Sequence, residues 1–137
     1  MIMVKITAES IENYSFASLE DNDNMGAYVY FYGKVRKSSE AKHIKKMFYE
    51  SHTEMAETEL RKICNEAVEE FGVHSIRVIH RVGEIEPGET SIIIEVMSSH
   101  RKEAFRACEA LIDRIKQRVP IWKKEIYDDE TEKWVHN

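Results

Sequence analysis

"SSHRKEAFRACEALIDRIKQRVPIWKKE", residues 98–125, holds the pattern from which the fold can be read. With each residue turning the chain by about 100°, Ala104, Phe105, Cys108, Leu111, Ile112, Ile115 and Val119 fall within an arc of about 120°. They define the core face of a helix over 100–119, with Lys102, Arg106, Glu109 and Asp113 opposite. Pro120 ends that helix, because it disfavours helical backbone in the residue before it. "IWKKEIYDD" then returns as a strand.

Working outward, "TSIIIEVMSS" (90–99) and "VHSIRVIHRVG" (73–83) are strands rich in β-branched residues, joined by "EIEPGE", whose Pro-Gly is a turn signal. A second helix runs over 52–71. Ser51-x-x-Glu54 is a capping box at its start, and Gly72 stands where a C-cap belongs. Its Ala56, Leu60, Ile63, Cys64, Ala67 and Phe71 form one stripe at helical spacing. "GAYVYFYGKVR" (26–36) is a strand with Tyr28, Tyr30 and Tyr32 on one face and Val29, Phe31 and Val35 on the other. Two apolar faces imply that both are covered, by helices or by another subunit. "HIKKMFYES" (43–51) reads as the strand returning from it, Ile2–Thr7 as a weaker strand, 10–20 as a helical turn or two, and Trp134 with Val135 as a short last strand. Hairpin-like pairs alternate with helices, so the class is α+β: a largely antiparallel sheet with packed helices, in one domain over 1–137.

Composition narrows the function. A chain of 137 residues with 42% hydrophobic and 33% charged residues fits one globular domain. No run approaches the length of a membrane span, and the N-terminus lacks the pattern of a secretory signal, so a cytoplasmic location is the default. Cys64 and Cys108 have no metal or redox spacing and read as buried thiols; the six histidines are scattered, so no metal or cofactor is implied. The net charge of −5 argues against nucleic acid. Yet residues 98–125 carry eight Lys or Arg against four Asp or Glu, +4, which leaves −9 for the rest. Such segregation fits a small anionic ligand or an acidic segment of a partner, or else a solvated basic helix face.

Three places within or near that region carry chemistry. Lys116 borders the apolar stripe, where it can either snorkel or be desolvated enough to favour the neutral amine. Ser98 or Ser99 can cap the helix. His100 and Arg101 then stand at the positive end of its dipole, a placement that a bound anion would reverse from unfavourable to favourable, although pairing of Arg101 with a nearby acid is the plainer alternative. Arg36, with Lys34 before it, ends a strand and opens the loop "KSSEAK". His80 and Arg81, within a strand, read as structural or edge residues. Lys123 and Lys124 follow an apolar cluster, Val119 to Trp122, that looks buried.

Taken in order, "GAYVYFYGKVR", "FYESHTEMAETEL", "VIHRVGEIEPGE", "SSHRKEAFRACEALIDRIK" and "PIWKKE" resemble the large, catalytic subunit of molybdopterin synthase, over residues 26–135. The resemblance implies a fold of the α/β-hammerhead type and a sulfurtransferase of molybdenum cofactor biosynthesis that converts cyclic pyranopterin monophosphate to molybdopterin. It implies sulfur supplied by the C-terminal Gly-Gly thiocarboxylate of a small ubiquitin-like subunit, and a homodimer at the centre of a heterotetramer. By resemblance Lys116 and Lys123 are the catalytic lysines, and Arg36, His100 and Arg101 hold the pterin phosphate. Lys34, Lys124 and Glu125 flank them. Pro120 and Trp122 would fix the backbone so that Lys116 and Lys123 converge. Ala41 stands where the family's loop often has glycine, and His136 near where some relatives continue in a basic tail. Two other classes remain open: a non-enzymatic adaptor for ubiquitin-like tails, and a phosphate-ligand sensor. Convergence of these cations on one cavity would separate them.

Overall fold

The computed structural model describes residues 1–15, 23–40 and 42–135, so Ala41, His136 and the 16–20 part of the helical turns expected over 10–20 lie outside the described residues. Residues 12–13 form a turn. Among the described residues eleven elements follow one another: β1 (Ile2–Thr7), β2 (Ala27–Lys34), β3 (Ser38–Ser39), β4 (Lys42–Ser51), α1 (Thr53–Phe71), β5 (Ser75–Arg81), β6 (Gly83–Ile85), β7 (Thr90–Ser98), α2 (Arg101–Arg118), β8 (Ile121–Tyr127) and β9 (Glu132–Val135). The architecture is the α+β one expected, but its strands divide into two sheets.

The first sheet has the order β1-β5-β7-β2, antiparallel except for β1 beside β5. Strands alternate faces, so Ile76 and Val78 of β5 and Ile94 and Val96 of β7 share one side. Both helices cover that side, with Leu60, Ile63 and Ala67 from α1 and Ala104, Leu111 and Ile115 from α2 closing the main core. On the other side Ile79 and Ile93 pack with Ile11.

The second sheet has the order β3-β4-β8-β9, with β6 also on β4. Two expectations change here. β4 does not return along β2: β2 pairs with β7, and β4 pairs with β8 and β6. The chain also leaves the first sheet after Arg81, contributes β6 to the second, and turns back through Gly88 into β7. Periodicity identifies a strand, whereas its neighbour depends on which apolar faces meet.

The helix ends also differ. Thr53 begins α1 after His52, which makes no side-chain cap bond; the Ser51 hydroxyl meets Thr53 Oγ1 at 2.9 Å, so the capping box does not form. Gly72 does take the left-handed conformation, φ 68°, and its N–H donates to the Val68 carbonyl at 2.9 Å. His100, not Ser98 or Ser99, is the N-cap residue of α2. Phe105, expected in the core, is 60% exposed, and Ala107 is buried instead. The buried face of α2 is thus turned toward Ala107 and away from Phe105.

Candidate active site

α2 ends at Arg118 and Val119 is extended, as a residue before proline must be. The Pro120 carbonyl accepts from the His52 N–H at 3.2 Å, and Ile121 then pairs with Ser51 at the edge of β4. This short corner brings the last turn of α2 beside the start of β8. Trp122 does not take part as expected. It points outward and is 48% exposed, while Ile121 and Lys123 point the other way. The pleat decides this, since neighbours on a strand face opposite sides.

On the inward side lies a cavity of about 440 Å³. Its apolar wall is Phe31, Ile92, Ile94, Ile112, Ile115 and Ile121; Lys34, Arg36, Lys116 and Lys123 also line it. β2 delivers Lys34 just after a register shift at Gly33, and Arg36 follows in the loop. Lys34 lies 3.8 Å from Glu12 and reaches the Gly88 carbonyl at 3.5 Å. Lys123 is half-buried, and desolvation holds its pKa below the ordinary lysine value, with the charges of Lys116 and Arg36 adding to the effect and Glu125 opposing it. Lys116 itself is exposed at the rim, so the desolvation expected there falls on Lys123 instead.

The remaining candidates lie elsewhere. Glu125 is buried beneath Lys123, accepting from the Tyr127 hydroxyl at 2.8 Å. Lys124 lies on the opposite face of β8, over the rings of Phe48 and Trp134 and 3.5 Å from Glu132. His100 and Arg101 stand at the far end of α2, about 22 Å from Lys116 along the helix axis at 1.5 Å per residue. Within one chain they do not meet Arg36. Other cations of the basic segment are tied to α1: Arg118 lies 2.8 Å from both Glu59 and Glu66, and Arg114 lies 2.9 Å from Glu70. Part of the basic charge of 98–125 thus lines the site and part forms a helix–helix contact.

Tyr49, His80 and Ser91 are among the lining residues that the sequence does not single out as site residues. His80 is buried, its Nδ1 2.8 Å from the Arg81 carbonyl and its ring edge-on to Tyr49 at 5.3 Å. Burial, with the nearby Lys123 charge, pushes its pKa down to about 4. The available signal was parity: His80 shares the face of Ile76 and Val78, so the helix-facing row of β5 ends in an imidazole.

A cavity with an apolar wall and four convergent cations defines a class: a protein that binds an anionic molecule carrying a flat or apolar body. The sequence profile of the MoaE protein family matches residues 6–118. The chain is 41% identical over 118 residues to the molybdopterin synthase catalytic subunit of Pyrococcus abyssi, covering 86% of this chain and 79% of that one. It is 38% identical to the Bos taurus protein of the same name, over 98% of this chain and 71% of that one. Its fold matches the molybdopterin synthase crystal structure from Staphylococcus aureus with a TM-score of 0.89, at 36% identity and 96% coverage of both chains. The chain belongs to the MoaE protein family.

Proposed function

We propose that this chain is the catalytic subunit of a molybdopterin synthase, transferring sulfur to cyclic pyranopterin monophosphate from the C-terminal thiocarboxylate of a small ubiquitin-like partner. The observation that carries this is the convergence of Lys34, Arg36, Lys116 and Lys123 on one apolar-walled cavity in a member of this family. An adaptor for ubiquitin-like tails would need a groove without that convergence. Phosphate and thiocarboxylate are both anions, and cations beside a low-dielectric wall attract both.

In the proposed reaction the thiocarboxylate sulfur bonds to a substrate carbon as that carbon's bond to oxygen breaks, the oxygen leaving as water at one carbon and as the freed phosphate oxygen at the other. Water then cleaves the acyl–sulfur bond, so the sulfur stays on the substrate and the partner leaves as a carboxylate. A second donor repeats the transfer as the cyclic phosphate opens, giving the dithiolene. Lys123, held toward its neutral form by burial, suits proton transfer. Lys116, at the rim, suits contact with the donor's terminal carbonyl, by charge or by transient covalent attack. Lys34 and Arg36 hold the phosphate, and Glu125 orients Lys123. His100 and Arg101 lie too far along α2 to serve their own cavity. Their proposed phosphate contacts therefore go to the cavity of a second copy in a homodimer, itself the centre of a heterotetramer with two small subunits. Lys124, on the outer face, is assigned to the partner's docking surface. The whole chain acts as one domain, and we place it in the cytoplasm; among the described residues no helix is long and apolar enough to cross a membrane.

Mixing the chain with a thiocarboxylated small subunit and the pyranopterin precursor tests this. Dithiolene product is expected at a stoichiometry of two donors per precursor. Tight binding of both components with no product would favour an adaptor or sensor.

A further inference from the structure

The four cations of the cavity donate hydrogen bonds and accept none. They account for recognition of phosphate or thiocarboxylate, not for the choice of one phosphorylated molecule over another. That choice needs acceptors aimed at the ligand's ring. His80 lines the same cavity and is buried in the end of β5. Its Nδ1 lies 2.8 Å from the Arg81 carbonyl. A carbonyl can only accept, so Nδ1 carries the proton and Nε2 holds a free lone pair. Among the described residues Nε2 has no hydrogen-bond partner, and the residue, 7% exposed, borders the cavity.

The ring is also held in place. Tyr49 stands edge-on to it at 5.3 Å with an interplanar angle of 68°. Ser91 lines the same wall, and its hydroxyl donates to the Gly33 carbonyl at 3.2 Å. Tyr49 is the cross-strand partner of Lys123, so acceptor and lysine share one wall.

We propose that His80 is a specificity residue of this cavity: its Nε2 accepts a hydrogen bond from a ring N–H of the substrate and so selects a nitrogen heterocycle over other phosphorylated molecules. This rests on the pterin reading above, since a pterin presents ring N–H and amino donors. Desolvation and Lys123 keep the imidazole neutral, with its pKa down at about 4, so the lone pair is present throughout the neutral range.

The test measures binding of two probes to the full-length chain by calorimetry: a pterin carrying a side-chain phosphate ester, and inorganic phosphate. His80→Asn retains a donor toward Arg81 but has no atom at the Nε2 position; His80→Gln places an amide oxygen near it. The asparagine variant is expected to bind the pterin phosphate about tenfold more weakly, the worth of one hydrogen bond to a desolvated group. Its affinity for inorganic phosphate should stay within about twofold, and the glutamine variant should recover most of the loss. In the wild type, the ¹⁵N signal of His80 Nε2 should move on adding pterin phosphate and hold still on adding phosphate alone. An unmoved signal, or equal loss of both probes in His80→Asn, overturns the inference and leaves the proposed function standing. A wild-type protein that binds neither probe overturns both.

Discussion

Lys116, in the last turn of α2, and Lys123, in β8, line one cavity, and the charge of the first helps depress the pKa of the second. Burial is the larger cause at Lys123, and Arg36 adds to it. Removing Lys116 therefore has a definite sign. Lys116→Met should raise the Lys123 pKa toward the free-lysine value, because one source of like-charge repulsion is gone. Titration of the side-chain ¹³Cε signal of Lys123 reads this directly. A downward shift would mean that the two amines are not coupled through space.

Lys123→Arg separates charge from amine chemistry. Guanidinium keeps the positive charge but stays protonated. If Lys123 moves a proton, single-turnover product formation should fall about as far as in Lys123→Ala, by a factor of about 10² or more. Partner binding and melting temperature should stay near wild type. Activity within a few-fold of wild type in the arginine variant would show that Lys123 acts by charge alone.

His80 predicts a pH dependence of stability. Its pKa is about 4 in the folded chain against an ordinary 6.5, so between those values the unfolded chain binds the extra proton. The stabilising contribution is complete above pH 6.5 and is lost as pH falls toward 4, to a limit of about 3 kcal/mol. Lys123 is the charged group acting on the ring. Denaturant unfolding of wild type and His80→Gln across pH 4–7 should show a difference that shrinks as the pH falls. A constant difference would refute the assignment.

Tyr28, Tyr30 and Tyr32 form an exposed row on β2, at 45%, 47% and 50% exposure. Behind them the Arg77–Glu95 pair, 3.1 Å apart, is almost fully buried, and desolvation, with the Glu95 carboxylate adding to it, pushes the Tyr30 pKa up to about 12. A row of three large rings on a sheet face fits the surface of a second copy. Tyr30→Arg should convert a dimer to a monomer in light scattering at micromolar concentration. A wild-type chain that is already monomeric would remove the homodimer from the proposal.

Gly26 lies where β2 begins against the start of α2. Its N–H donates to the Ser99 carbonyl at 3.2 Å, and a Cβ there would stand 2.6 Å from that oxygen. Backbone, unlike a side-chain tip, cannot step aside. Gly26→Ala should lower stability by about 1–3 kcal/mol, measured by urea unfolding. No loss would mean that this junction is looser than its geometry indicates.

By itself the sequence determined both helices, the principal strands and the α+β class, because 3.6- and 2-residue periodicities are local properties of the chain. Family blocks gave Lys34, Arg36, Lys116 and Lys123 as site candidates. Tertiary structure alone decided that these four meet, that His100 and Arg101 stand at the other end of α2, and that Lys124 faces away from Lys123. Each is a long-range consequence of strand pairing and pleat, set by which apolar faces dock and not by spacing along the chain. His80 is legible in the sequence as a residue of β5, but a buried imidazole with one nitrogen on a carbonyl and the other toward a cavity exists only once β4, β5 and β8 are packed together. Burial decided which lysine is desolvated. A border position on a helical wheel pointed to Lys116, and the closing of β8 onto β4 placed Lys123 deeper.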